Sequence, residues 1–177
     1  MPVNFFCGCA TRHLRHATIS LKILYGLPLV MAEQQKARKE IIRKVEYHFE
    51  DGRGWIDYHI LPESVTWIGT ITTKKGSIRA NHYHPKQEQK LLHVSGKCIS
   101  VCKDLSVEGS PIKHQLVLPG DLVVTPKNVA HAVIYLEDSI QINLVKGERI
   151  PTNYGKHTKP YLLVKPEEIQ KYADYYK

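Results

Sequence analysis

The chain has 177 residues and a formal net charge of +8, with 42% hydrophobic and 24% charged residues. This composition is ordinary for a globular protein and excludes a mostly disordered chain. The length predicts one domain with a sufficient hydrophobic core. The basic residues are spread along the chain and form no run interleaved with aromatics, so we expect no nucleic-acid partner. No window of about 18 uncharged apolar residues occurs, so we expect no membrane span.

The cysteines form no recognisable metal or redox motif. They occur as Cys7, Cys9, Cys98 and Cys102, and neither pair has the C-x-x-C spacing of a zinc ribbon or a redox site. We interpret them as free thiols of a cytoplasmic protein. Cys98 and Cys102 lie four residues apart on one predicted strand, which places both on one face as buried thiols.

The N-terminal segment differs in composition from the rest of the chain. Residues 1–32 contain no Asp or Glu, and an ordinary mixed sequence follows Met31. A basic, acid-poor stretch is also typical of a transit peptide. We expect an unstructured extension over 1–32, with Met31 as the physiological start, and a single domain over 33–177.

The first predicted element is a helix over 33–46, where Glu, Gln, Lys, Ala and Arg predominate and the isoleucines form one stripe. Nine short β-rich runs follow, separated by turn residues: 55–61, 65–73, 77–84, 88–95, 97–103, 112–118, 121–125, 130–136 and 139–146. The last predicted element is a helix over 166–175, with Pro166 in its first turn and two glutamates after it. Short strands at this spacing predict an all-β, antiparallel sandwich or barrel with short flanking helices.

Two of these segments bring histidines together. His82 and His84 occupy alternate positions of one predicted strand, so their side chains share a face. A turn at Pro85-Lys86 can return the chain beside them. A second hairpin, which opens at Pro119-Gly120, can bring His131 alongside.

The returning strand turns Glu88 or Gln89 toward the three histidines. Three imidazoles and a carboxylate suit one divalent metal, such as zinc, iron, manganese or nickel. They equally suit acid–base chemistry without a metal. Lys90 lies two residues after Glu88, on the same face of the predicted strand, and is therefore a candidate catalytic residue. His93 is expected on the outer face.

The two histidine segments resemble the two cupin motifs. The first motif, G-x5-H-x-H-x(3–4)-E-x6-G, is followed by Gly76, His82, His84, Glu88 and Gly96. Glu88 stands eight residues before Gly96, where seven is usual, and Gln89 has the usual distance. The position that faces the metal is therefore open between Glu88 and Gln89.

The second motif, G-x5-P-x-G-x2-H-x3-N, is matched by Gly120, Pro126 and His131. Asn128 replaces its glycine, a mild change because Asn tolerates a positive φ, and Tyr135 replaces its last Asn. Together the motifs imply the cupin fold, an antiparallel double-stranded β-helix or jelly-roll barrel. This fold hosts many functions, so it does not define a reaction.

Within cupins, the segment R-A-N-H-Y-H at 79–84 is similar to sugar-nucleotide ketoisomerases and epimerases of polysaccharide biosynthesis. These include WxcM-like 3,4-ketoisomerases, dTDP-4-keto-6-deoxyhexose 3,5-epimerases and the cupin domain of capsular polysaccharide enzymes. The resemblance implies that Arg79 lies near a nucleotide diphosphate and that His82 is the proton-transfer base. It also implies that Tyr83 and His84 help to shape that site.

We therefore predict a cupin isomerase or epimerase that acts on an anionic nucleotide-diphosphate sugar carrying a ketone. One alternative is a metal-dependent cupin, such as a dioxygenase or a sugar-phosphate isomerase, with His82, His84, Glu88 and His131 as ligands. Another is a cupin that binds a metal or small molecule without turnover. The resemblance also implies a homodimer, and pairing across a two-fold axis would cover the apolar edge strand at 65–73.

Overall fold

The computed structural model describes residues 37–52, 54–147 and 155–177, and the extension predicted over 1–32 lies outside them. The described residues fall within one compact unit, Gln34–Lys177. Their strands are β1 (Ile41–Arg43), β2 (Tyr47–Asp51), β3 (Gly54–Tyr58), β4 (Trp67–Thr73), β5 (Ile78–Tyr83), β6 (Gln89–Ser95), β7 (Cys98–Asp104), β8 (Lys113–Val117), β9 (Leu122–Thr125), β10 (Val129–Tyr135), β11 (Ser139–Val145) and β12 (Lys159–Pro160). A 3₁₀ turn over Pro166–Glu168 leads into helix α1, Ile169–Tyr175.

The strands form two five-stranded antiparallel sheets. The first has the order β1-β9-β6-β11-β4, the second has the order β12-β5-β10-β7-β8, and β2 pairs with β3 in a separate hairpin. Consecutive strands such as β5 and β6 lie in different sheets, as in a jelly roll. The nine predicted strands correspond to β3–β11, while β1, β2 and β12 are additional. The predicted all-β cupin barrel is confirmed.

An apolar core lies between the two sheets. Leu91 and Val123 of the first sheet pack against Cys98, Val133 and Tyr135 of the second. Alternation along each strand explains this composition, since every second side chain points into the space between the sheets. Cys98 is one of two free buried cysteines in the described part, as the sequence predicts.

A second apolar cluster covers the outer face of β7 and β10, where the C-terminal segment contributes Val164 and Tyr172. The Asn81 side chain fastens this segment to β5. Its Nδ2 donates to the Val164 carbonyl (2.9 Å), and its Oδ1 accepts from the backbone N–H groups of Leu163 (2.9 Å) and Val164 (3.0 Å). The predicted C-terminal helix is confirmed as α1. In the described part of the chain, no helix is both long and apolar enough to cross a membrane.

The predicted N-terminal helix over 33–46 is wrong, because the described part of this range contains strand β1 and no helix. β1 pairs with β9 at the edge of the first sheet, and Ile42 packs against the core between the sheets. The carboxyl group of Glu40 is buried and accepts hydrogen bonds from Ser100 in one sheet and Thr125 in the other. This tertiary pairing outweighs the small differences in helix propensity on which the prediction depends.

Candidate functional site

The three motif histidines meet at one end of the barrel. His82 on β5 is paired in register with His131 on β10, and His84 follows directly after β5. The ring centroids of His82 lie 4.6 Å from His131 and 4.8 Å from His84, and those of His84 and His131 are 5.4 Å apart. One ligand atom from each ring lies within 4.8 Å of the other two. His84 and His131 are each only 1% exposed.

A backbone irregularity in β5 aims two functional side chains into the same space. Ala80 (φ 68°) and Asn81 (φ 51°) both adopt left-handed conformations, and the register with β10 shifts between His131 and the next residue. In a regular strand, residues three apart face opposite sides. The bulge instead lets Arg79 and His82 both face the interior, while Asn81 faces the C-terminal segment.

Backbone carbonyls orient two of the imidazoles. The carbonyl of His157 lies 2.9 Å from Nδ1 of His84, and that of Val129 lies 3.2 Å from Nδ1 of His131. A carbonyl can only accept, so each Nδ1 carries a proton and each Nε2 is the basic nitrogen. Burial, together with the neighbouring His82 and His84, lowers the pKa of His131 to about 3. His131 is therefore neutral at physiological pH.

A cavity of about 120 Å³ lies between the sheets beside these rings. His82 and His131 line it together with five other polar side chains. These are Arg79, Gln89, Tyr135, Gln141 and Asn143. No carboxylate of the described residues lines this cavity, whereas one guanidinium, that of Arg79, does.

Arg79 and Tyr135 place hydrogen-bond donors in the cavity. The Arg79 Nε donates to Thr73 Oγ1 (2.6 Å), and a terminal nitrogen donates to the Thr72 carbonyl (2.9 Å). The Tyr135 hydroxyl donates to Gln141 Oε1 (2.6 Å). Burial raises the pKa of Tyr135 to about 12, so the phenol stays protonated. The remaining N–H groups of Arg79 suit contact with an oxygen that carries or gains negative charge.

Four predicted site residues do not line the cavity. His84 is one of them, although its ring lies beside those of His82 and His131. The Lys90 Nζ pairs with the Glu88 carboxylate at 2.6 Å, and both flank Gln89, which faces inward. Successive side chains of a strand alternate between faces, so Glu88 and Lys90 point to the outer side. The predictions that Glu88 and Lys90 face the histidines are therefore wrong. Tyr83 follows His82 on β5 and, for the same reason, faces away from the imidazoles.

Two cavity residues, Gln141 and Asn143, have no counterpart in the sequence predictions. Both lie on β11 and alternate with Ile140, Ile142 and Leu144. Polar side chains at every second position of an otherwise apolar strand indicate a polar face. In this strand that face points inward, which is the reverse of the usual arrangement in a sandwich.

The triad itself fits a divalent metal. Its donors are neutral imidazole nitrogens, which suit zinc, iron and nickel. The His131 Nε2 is buried and has no hydrogen-bond partner among the described residues. His82, His84 and His131 are the residues that would hold such an ion.

The barrel and its histidine cluster define a cupin-type protein. The model of the family described as JmjC domain, hydroxylase, matches residues 44–145, more than half of the chain. The chain belongs to this family. No curated protein matches the chain.

Solved structures share the fold at low sequence identity. A dTDP-4-dehydrorhamnose 3,5-epimerase from Sulfolobus tokodaii is 19% identical, with a TM-score of 0.58 over 71% of this chain and 80% of that chain. A 3,4-ketoisomerase from Helicobacter canadensis is 18% identical, with a TM-score of 0.58 over 76% and 97%. The 3'-monoepimerase ChmJ from Streptomyces bikiniensis, in complex with dTDP-quinovose, is 18% identical, with a TM-score of 0.56 over 66% and 68%. At these identities the likeness shows the fold.

Proposed function

We propose that this protein is an isomerase or epimerase that moves a proton on a nucleotide-linked keto-sugar. The observation that carries the proposal is the placement of His82 among contacting imidazoles, beside Arg79, in a cavity lined by no described carboxylate. The epimerases and the ketoisomerase that share the fold support the same class of chemistry. Assignment of the cavity residues to this reaction is our inference.

The reaction needs only groups that the cavity supplies. A base removes the proton from the carbon next to the ketone, which leaves an enolate. Return of the carbon-bound proton to the former ketone carbon, with transfer of the neighbouring hydroxyl proton to the former ketone oxygen, moves the carbonyl. Return of the proton to the opposite face of the same carbon inverts the centre. Both outcomes are redox-neutral and consume no second reactant. An imidazole suits both steps because it can accept a proton at one stage and donate it at the next.

The neighbours of His82 suit its role as a base. His131 is neutral, so it adds no positive charge that would oppose protonation of His82 during the reaction. Arg79 has five N–H donors, two of which contact Thr73 and Thr72. Its other donors can stabilise the enolate oxygen, which is the largest electrostatic demand of such a reaction.

The size of the cavity defines which part of the substrate enters it. Its volume of about 120 Å³ is well below the roughly 300–1,000 Å³ of ordinary ligand pockets. We infer that the sugar ring reaches the imidazoles and that the nucleotide stays outside, at the end of the barrel. Arg79 then lies close to the junction of sugar and diphosphate, where its planar guanidinium can bind phosphate oxygens.

Turnover of candidate substrates tests this proposal. The protein is incubated with dTDP- and UDP-linked 4-keto-6-deoxyhexoses, before and after treatment with a chelator, and the products are followed by NMR. We expect a shifted ketone or an inverted centre, and unchanged activity after chelation. The variant Tyr83→Phe should convert the same substrates as the wild type does, because Tyr83 faces away from the cavity. Absence of conversion with both nucleotide series would refute the proposal.

A metal-dependent cupin is the second candidate, favoured by the fit of the three imidazoles to one ion. When bound there, a divalent metal would polarise a substrate oxygen as a Lewis acid. Metal analysis of protein purified without a histidine tag distinguishes the two candidates. About one transition metal per chain, lost in His84→Ala, together with loss of turnover on chelation, would favour this second function.

A homodimer is part of the proposal. β4 is an edge strand of the first sheet, and its first two residues, Trp67 and Ile68, are 47% and 72% exposed. An exposed apolar edge favours pairing with another strand. Pairing with a second copy across a two-fold axis would cover this edge on both chains.

A further inference from the structure

The cavity contains two buried amide oxygens that lack a donor. Gln89 Oε1 and Asn143 Oδ1 have no hydrogen-bond partner in the described part of the chain, and the two residues are 8% and 9% exposed. In contrast, the third amide of the cavity, Gln141, accepts from the Tyr135 hydroxyl. A buried acceptor without a donor is unfavourable. Two such acceptors on one cavity wall can receive hydrogen bonds from donors that enter the cavity.

The two amides are neighbours on the sheet that faces the histidines. Gln89 lies on β6 and Asn143 on β11, and Asn143 pairs with Leu91, two residues beyond Gln89. This diagonal relation separates their Cβ atoms by roughly 7–8 Å. On the other side of Asn143, its partner on β4 is Gly69, which has no side chain and leaves room beside the amide.

The opposite wall carries the reactive groups. His82 and Arg79 belong to β5 and His131 to β10, both in the second sheet. A small ligand in the cavity is therefore held between two amide acceptors on one side and the imidazoles with a guanidinium on the other. Both acceptors are amide oxygens, so a hydroxyl group of the ligand can donate to each of them.

We propose that Gln89 and Asn143 accept hydrogen bonds from two hydroxyl groups of one sugar ring and thereby orient that ring toward His82. This inference rests on the proposed function and adds the residues that determine its specificity for the sugar. Sugar hydroxyls fit because they are compact neutral donors set on neighbouring carbons of a rigid ring. A site built to bind hydroxyls strongly rejects analogues that lack them, because its buried acceptors then stay unpaired.

Calorimetry with dTDP-quinovose and with dTDP tests this inference, because the difference in affinity isolates the sugar. Asn143→Leu and Gln89→Met keep side-chain volume but remove the acceptor. We expect each to weaken binding of dTDP-quinovose by about tenfold and to leave binding of dTDP unchanged. Asn143→Asp keeps an acceptor oxygen and should retain the preference for dTDP-quinovose. Gln170→Leu, which removes an exposed amide on α1, is the matched control.

The outcomes separate this inference from the proposed function. If the wild-type protein binds neither dTDP-quinovose nor dTDP, the proposed function for dTDP-linked sugars and the inference both fail. If it binds both, and the two apolar variants keep the wild-type preference for dTDP-quinovose, the inference alone fails. Loss of affinity for dTDP as well as dTDP-quinovose would indicate a structural role and would also overturn it. The two substitutions are tested separately, so one misfolded variant leaves the other decisive.

Discussion

Substitution of Glu40 by Gln should remove a large part of the pH dependence of folding. Glu40 precedes β1, is 1% exposed, and accepts hydrogen bonds from Ser100 and Thr125, which belong to different sheets. Burial raises the pKa of Glu40 from 4.5 to about 7, and the two hydroxyl hydrogen bonds lower it only in part. The folded protein therefore favours the protonated carboxyl group.

The sign and the size of the effect follow from this shift. Between pH 4.5 and about 7 the native state holds a proton that the unfolded chain has released, so the stability that this group contributes decreases as the pH rises. Each pKa unit corresponds to about 1.4 kcal/mol. A rise from 4.5 to about 7 therefore corresponds to about 3 kcal/mol, present in full below pH 4.5 and lost above pH 7.

Urea unfolding of the wild-type protein and Glu40→Gln between pH 4.5 and 8 measures this effect. Glutamine resembles the protonated acid and cannot ionise. Its one carbonyl oxygen accepts from one of the two hydroxyls, and its NH2 group can donate to the oxygen of the other. We expect the variant to gain about 3 kcal/mol relative to the wild type across this range. Glu108→Gln, at an exposed position, is the control. A stability difference between wild type and Glu40→Gln that does not change with pH would refute the reasoning.

Three other substitutions test the backbone, the C-terminal segment and the dimer. Ala80→Gly should stabilise the fold by about 0.5–1 kcal/mol in urea unfolding, because a left-handed φ of 68° is unfavourable for alanine and not for glycine; a loss of stability would contradict this. Asn81→Ala should cost about 2–4 kcal/mol, because it removes three hydrogen bonds to the C-terminal segment, and hydrogen exchange should become faster there, not elsewhere. Light scattering should give about twice the chain mass of 20.3 kDa, and Ile68→Lys should reduce it to the monomer mass; a monomeric wild type would exclude the dimer.

The orientation of β6 shows how far the sequence could define the site. Motif spacing left Glu88 and Gln89 as alternatives, and the structure turns Gln89 inward. A shift of one residue in a strand moves every side chain to the other face. The same orientation of β6 points Lys90 outward. It also turns His93 inward, so His93, which is expected on the outer face, is fully buried. The distance to Gly96 was the one sequence signal that favoured Gln89.

Other features depend on tertiary structure that local patterns do not contain. The alternation of His82 and His84 and the second motif predict that the three histidines meet, and the structure brings them together. In contrast, the shared orientation of Arg79 and His82 depends on a bulge at Ala80, where alanine gives no sign of a positive φ. Likewise, β1 forms because β9 offers an edge for pairing, which outweighs local helix propensity.

Incorporation of solvent deuterium into the sugar tests the central claim most directly. Chelator-treated protein is incubated in D2O with a dTDP-linked and, separately, a UDP-linked 4-keto-6-deoxyhexose, and NMR follows the carbon-bound protons next to the ketone. We predict exchange with the wild type and with Tyr83→Phe, and none with His82→Asn, which retains a folded barrel. Exchange at the wild-type rate in His82→Asn would contradict the assignment of His82 as the base. No exchange in the wild type would contradict the proposed reaction itself.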